Sequence, residues 1–342
     1  MEDSVIHQDA YDNYNPVFEN NTYAFSANRE YVSDPYMGFR LRSLKKFIGD
    51  KLILKTNSLG LRCDDINKTP KEKDVAVFLG GSVIFGSYAP SDQETISSLC
   101  ESNLKHQIHC VNAGANGHVL TQHVSLYTNY ITPYLKPKYV ILYAGYNDFL
   151  LCCRYKKSFG RLIIEDFQDI LANYPQKPFK TALIILTKGL KFKIHKIKSL
   201  LKKNQPSVAK KDNLPLDALG GEAHIQNYIN QFVNHIELLS HLCSSTGTQF
   251  LFFLQPALAL SGKIKTELEK NLESSITEAE ALAFFYKALK KELHQKSYFK
   301  DHSDIFLQEQ KSIFVDPCHL GDRGNKIIAH EISSIIGGVL PK

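Results

Sequence analysis

The chain lacks any apolar run long enough to cross a bilayer. It also lacks a basic start followed by an apolar core. Met1-Glu2-Asp3 opens an acidic, polar N-terminus, and no signal peptide is visible. No cysteines stand at metal-ligand spacing. The seven, at 63, 100, 110, 152, 153, 243 and 318, are an odd number, and Cys100, Cys110 and Cys243 lie in apolar patterns. Buried free thiols are therefore expected, which suits a reducing compartment. With no leader and no span, these predict a cytoplasmic protein. No internal repeat and no low-complexity tract occurs, which excludes the repeat architectures. No nucleic-acid motif and no interleaving of aromatic with basic residues is present, so no nucleic-acid partner is expected.

What is present is ordinary globular material. The 342 residues are 43% hydrophobic and 22% charged, enough for one large domain or a domain with a sizeable insertion. The net charge of +6 is modest, and much of the basic excess falls between Lys177 and Lys211.

The stretch Val75-Ala76-Val77-Phe78-Leu79-Gly80-Gly81-Ser82 organises the rest. An apolar, β-branched run that stops at two glycines reads as a buried parallel strand followed by a sharp turn. Ser82 then sits beyond the carboxyl end of a strand, where open α/β sheets bind ligands. Before it, residues 1–73 read as a loosely ordered arm and a small β-rich extension. That extension holds a strand at Lys51–Thr56 and the turn Asn57-Ser58-Leu59-Gly60-Leu61-Arg62. After it, Ser91 with Glu94 three residues on predicts a capped helix running to about Leu104. Strands follow at Ile108–Asn112 and Lys138–Tyr143, with a helix from Thr121 to Leu135 between them. The first ends in Gly114-Ala115-Asn116-Gly117-His118, the second in Gly145-Tyr146-Asn147-Asp148.

The β–α alternation then stops, and a helical insertion is expected at about residues 150–222. It contains a helix candidate from Phe179 to Lys203 with one apolar stripe and many lysines. Two readings stay open for residues 183–203: a lid on the body, or weak contact with an anionic membrane surface. Next come a helix at Ala223–Thr246, a strand at Gln249–Leu254 and a helix at Thr266–Gln295 broken near Ser274-Ser275. A strand at Ser312–Val315, the turn Asp316-Pro317-Cys318-His319 and a helix at Gly324–Ile336 close the chain. This alternation predicts an α/β fold: a three-layer α/β/α sandwich on a five-stranded parallel sheet of order 2-1-3-4-5, spanning residues 74–342.

Four polar or glycine-rich turns thus fall at one sheet edge, and they supply what acyl transfer through serine needs. Ser82 is the nucleophile candidate, His319 the base, and Asp316 the carboxylate that orients the imidazole. The amides of Ser82 and Gly117 and the side chain of Asn147 are the candidate oxyanion donors. Asp148 is expected to brace its loop, His118 to wall the pocket, Arg62 to form a structural ion pair and Cys318 to pack.

These segments resemble the sequence blocks of the SGNH hydrolases, also called GDSL esterases/lipases. Gly80-Gly81-Ser82 matches the first block, with Gly81 where the family often has Asp. Asn112-Ala113-Gly114-Ala115-Asn116-Gly117 matches the second, Gly145-Tyr146-Asn147-Asp148 the third and Asp316-Pro317-Cys318-His319 the last. Four blocks in order over residues 74–338 make the likeness strong, although each alone is weak. It implies a flavodoxin-like SGNH hydrolase fold and a metal-independent serine ester hydrolase of the esterase or acetylesterase type. No cofactor is implied, and the substrate would be a small-molecule or glycan ester. An O-acyltransferase using the same triad, or a binding protein that kept the fold, are the alternatives. The stretch from Asn57 to Arg62 also resembles bacterial members associated with surface polysaccharides.

Overall fold

The computed structural model describes residues 4–8, 31–48, 51–68, 72–161 and 213–338. The Phe179–Lys203 helix candidate, and with it the lid and membrane readings of 183–203, lies outside the described residues.

Five parallel strands form the central sheet: β6 (Asp74–Gly80), β7 (Ile108–Gly114), β8 (Tyr139–Ala144), β9 (Gln249–Leu254) and β10 (Phe299–Asp301). Their spatial order is β10-β9-β8-β6-β7, which is 2-1-3-4-5 when the five are counted along the chain. The order is as expected, but the fifth strand is not. Ser312–Val315 makes only an isolated bridge between Phe314 and Leu320, and β10 takes the edge beside β9.

Alternate residues of each central strand enter opposite cores, as a period of two requires. Val75, Val77 and Leu79 of β6 meet Val140 and Leu142 on one face, under α5 (Gly221–Ser245) and α7 (Ala279–Leu293). Ala76 and Phe78 meet Ile141 and Tyr143 on the other, under α2 (Ile96–Asn103) and α8 (Asp322–Gly337). The helical region 266–295 is broken as expected, into α6 (Glu267–Glu273) and α7. The Ser91 cap is corrected. Ser91 Oγ donates to the Glu94 carboxylate, Asp92–Glu94 form a 3₁₀ turn, and Thr95 caps α2 by accepting from the Ser98 amide. All seven cysteines are free, and no described helix is long and apolar enough to cross a membrane.

The described residues of the N-terminal part include five short strands. Strands β1 (Ser4–Gln8), β4 (Leu44–Ile48) and β5 (Lys51–Thr56) form one small sheet. Strands β2 (Tyr31–Asp34) and β3 (Gly38–Leu41) pair as an antiparallel hairpin. Several hydrogen bonds tie the hairpin to the body, among them one from Ser125 to the Tyr36 carbonyl at 3.0 Å. Tyr130 donates to Asp34 at 2.7 Å, Gln122 to the Met37 carbonyl at 2.7 Å, and His118 Nε2 meets the Phe39 carbonyl at 3.0 Å. Met37 and Leu61 are buried in the main core.

Candidate active site

Strand β6 ends at Gly80, and a single turn, α1 (Ser82–Phe85), begins at the serine. Gly81 has ordinary extended geometry, so its role is spatial. A Cβ built on it would stand 2.5 Å from Asn147 Nδ2. The glycine therefore lets the Asn147 amide lie against the backbone that precedes Ser82. This gives a physical account of the departure from Asp at that position. If Asn147 is the oxyanion donor that the sequence reading expects, Gly81→Asp pushes it aside and is expected to lower kcat toward ester by about 100- to 1000-fold. Steady-state kinetics would check this, and an unchanged kcat would refute it.

Arg62 locks the turn from behind. Its guanidinium is buried, pairs with Asp92 at 2.6 Å, and donates to the carbonyls of Phe85 (3.2 Å) and Gly86 (2.5 Å). The loop that delivers it folds on Asn57, whose side-chain oxygen accepts from the amides of Leu59 and Leu61. Arg62 is thus a structural ion pair, and it braces the turn that carries the nucleophile candidate.

The last block comes to the same edge. Ser82 Oγ lies 2.6 Å from His319 Nε2, and His319 Nδ1 lies 2.6 Å from Asp316 Oδ2. The motif folds on its own carboxylate: Asp316 Oδ1 accepts from the amides of Cys318 (3.0 Å) and His319 (2.8 Å). One oxygen shapes the turn and the other aims the imidazole. Burial alone would raise the Asp316 carboxyl, but the hydrogen bond and charge of His319 hold it below its ordinary value. Burial alone would lower His319, yet contact with Cys318 and Asp316 raises it well above the ordinary imidazole value. Because burial raises the Cys318 thiol and keeps it protonated, the Asp316 carboxylate is the cause that matters.

The second and third blocks end strands β7 and β8, which flank β6 on either side. Gly117 has φ +72°, a conformation that favours glycine, and no described residue accepts its amide hydrogen or that of Ser82. Asn147 begins to coil in α4 (Tyr146–Phe149) and donates to the His118 carbonyl at 2.8 Å. Its amide has a second N–H to offer. The blocks are cross-tied. Asn112 donates to the Ile84 carbonyl, Ser87 to Asn116, and Asp148 accepts from the Leu120 amide and the Tyr228 hydroxyl. Burial pushes the Asp148 carboxyl up to about 7, so it braces the loop from a dry site. His118 lies beside the site, its carbonyl accepting from Asn147. It is buried between the hairpin and the body, where burial holds it down at about 4.

Sequence reasoning missed Glu269 and Lys263, which form a fully buried pair at 2.5 Å. One Glu269 oxygen accepts from Lys263 and from the Thr266 amide and hydroxyl. The other accepts from the amides of Ile313 and Phe314. The pair fixes the strand-like segment that delivers Asp316. The signal was available, since Thr266-x-x-Glu269 is a capping box, but the ligation of a distant segment was not legible from it. Glu269→Ala strands a buried ammonium and is expected to cost roughly 3–5 kcal/mol. The double variant Lys263→Met with Glu269→Gln should recover part of that loss, as read from urea midpoints.

No family model matches the chain, and neither does any curated protein. Similar solved structures include an acetyl xylan esterase, AlAXEase, at 12% identity over 77% of this chain and 99% of that one, TM-score 0.45. A carbohydrate acetylesterase from Sinorhizobium meliloti aligns at 12% identity over 78% and 100%, TM-score 0.42. A member of the lipolytic protein G-D-S-L family from Veillonella parvula aligns at 12% over 77% and 98%, TM-score 0.40. By its own sheet order the chain is a doubly wound α/β/α sandwich on a five-stranded parallel sheet, and it brings Ser82, His319 and Asp316 together at one edge of that sheet.

Proposed function

We propose that the chain is a serine ester hydrolase working through an acyl-serine intermediate, with Ser82, His319 and Asp316 as its triad. The observation that carries this reading is the unbroken relay from the Ser82 hydroxyl through the imidazole to the Asp316 carboxylate, with both hydrogen bonds at 2.6 Å. A serine hydroxyl is a weak nucleophile until a base takes its proton, and His319 Nε2 stands where it can. Ser82 Oγ attacks the ester carbonyl as its proton passes to Nε2. Asp316 stabilises the imidazolium and holds Nδ1–H.

The amides of Ser82 and Gly117 and the Asn147 side chain receive the developing oxyanion. The intermediate collapses as the imidazolium protonates the departing alcohol. Water then enters, His319 takes its proton, and the acid product leaves Ser82 free. Every proton in this cycle is moved by groups of the chain itself. The hollow beside Ser82, walled by Ser87, Tyr88, His319 and Asn325, is small, which favours short acyl groups such as acetyl.

The test is a panel of esters of increasing acyl length, run with and without glycan acceptors. Release of free acid fastest from the shortest esters supports the reading. Acyl transfer to an acceptor at the expense of water would replace it with the acyltransferase. A folded protein that neither turns over ester nor is labelled at Ser82 by a fluorophosphonate would overturn it in favour of a binding protein.

A further inference from the structure

The last block holds a thiol that the proposed reaction does not use. Cys318 Sγ lies 3.6 Å from His319 Nδ1, and Nδ1 lies 2.6 Å from Asp316 Oδ2. The three donor atoms all fall within 4.8 Å of one another, the one such group among the described residues. Thiolate, imidazole and carboxylate are the donor set of zinc and its neighbours in the transition series. With Zn–S near 2.3 Å and Zn–N near 2.0 Å, a tetrahedral site places sulfur and nitrogen about 3.5 Å apart. The separation in this chain already matches that edge. The carboxylate oxygen is too close to Nδ1 and would swing outward by about 0.7 Å to complete a third bond. The Asp316 and His319 side chains are 29% and 21% exposed, so an ion can reach these two from solvent, with the buried Cys318 thiol as the inner ligand.

We propose that Asp316, Cys318 and His319 form a binding site for a thiophilic divalent cation of the zinc class, and that its occupation switches the triad off. Occupation is balanced as follows. The Cys318 thiol gives its proton to solvent and binds as thiolate. The metal takes the Nδ1 lone pair, so the ring proton moves to Nε2. One Asp316 oxygen becomes the third ligand, and water fills the open position. The site is then neutral overall: a dication, a thiolate, a carboxylate and a neutral ring. With Nε2 protonated, the imidazole donates to Ser82 Oγ where it must accept, and the hydroxyl cannot be activated. The inhibitory consequence rests on the hydrolase reading above, whereas the binding does not.

The experiment uses the purified full chain, stripped with chelator, and two metals in turn. Cobalt(II) is expected to give a thiolate-to-metal charge-transfer band at one equivalent, and zinc to displace it. Zinc should slow hydrolysis of a short ester and fluorophosphonate labelling of Ser82, with both restored by chelator. Cys318→Ala should abolish the cobalt band and raise the half-inhibiting zinc concentration at least about tenfold. Cys318→Ser serves the same purpose should the alanine variant fold poorly. A folded wild-type chain without a thiolate–cobalt band overturns the proposal, as does a band or inhibition that persists in both cysteine variants. A normal band in a chain that never hydrolyses ester supports the metal site and counts against the hydrolase reading.

Discussion

Ser82→Ala is expected to lower kcat for a short acyl ester by about 10⁶-fold, the largest effect of any single change in this chain. The magnitude follows from the geometry. Only the Ser82 hydroxyl both contacts His319 Nε2 and stands at the strand end facing the oxyanion donor candidates. Without it no acyl intermediate forms, and what remains is the catalysis that donors and base lend to a water molecule. The variant should fold normally. The change removes one partly buried hydrogen bond, a net contribution of about 1 kcal/mol, and leaves the Arg62 brace and the core contacts of α1 in place. Turnover, fluorophosphonate labelling and a urea midpoint measured together separate a lost nucleophile from a lost fold. Retention of more than a small fraction of wild-type turnover would remove Ser82 from the proposed role.

The second large effect concerns Asp316 and is read against pH. In the proposed mechanism His319 accepts the serine proton only when neutral, and contact with Cys318 and with the Asp316 carboxylate raises its pKa above the ordinary imidazole value against the lowering effect of burial. Activity is therefore lost as pH falls through that raised pKa and gained as pH rises through it. The expected profile of kcat/KM is a one-proton ascending limb on the alkaline side of the usual histidine range. Asp316→Asn removes the charge that raises the imidazole while its burial persists, so the limb moves to lower pH. The plateau falls by about 10⁴-fold, because the amide no longer fixes the tautomer or stabilises the imidazolium. The two changes have opposite consequences at low pH, which makes the profile more telling than a single rate. A variant whose limb stays in place would mean that Asp316 does not control His319.

The elements read wrongly share a physical cause. Ile313, Phe314 and Val315 have the apolar, β-branched pattern of a buried strand, and they are buried. Their amides, however, go to the Glu269 carboxylate and to the His319 carbonyl instead of a neighbouring strand. The true edge strand, Phe299–Asp301, is short and largely polar, so its pattern carries no strand signal. Ser91 and Glu94 have the spacing of a capping box, but their side chains bond each other, and the helix waits for Thr95. Spacing alone cannot say which of two competing hydrogen bonds is made.

By itself the sequence determined four of the five central strands, the main described helices around them and a sheet order that topology rules allow. It also marked the four turns where Ser82, Gly117, Asn147 and the Asp316/His319 pair reside. Those are local properties, written in apolar periodicity and in glycine and polar breaks at strand ends. Only the tertiary structure decided that a serine and a histidine 237 positions apart share a hydrogen bond. It likewise decided that Arg62 braces the nucleophile turn, that Glu269 secures the Asp316 segment, and that position 81 must be small because Asn147 lies over it. These are contacts between segments distant along the chain. Nothing in the spacing of residues encodes them, because they exist only once parallel strands have brought their carboxyl ends together.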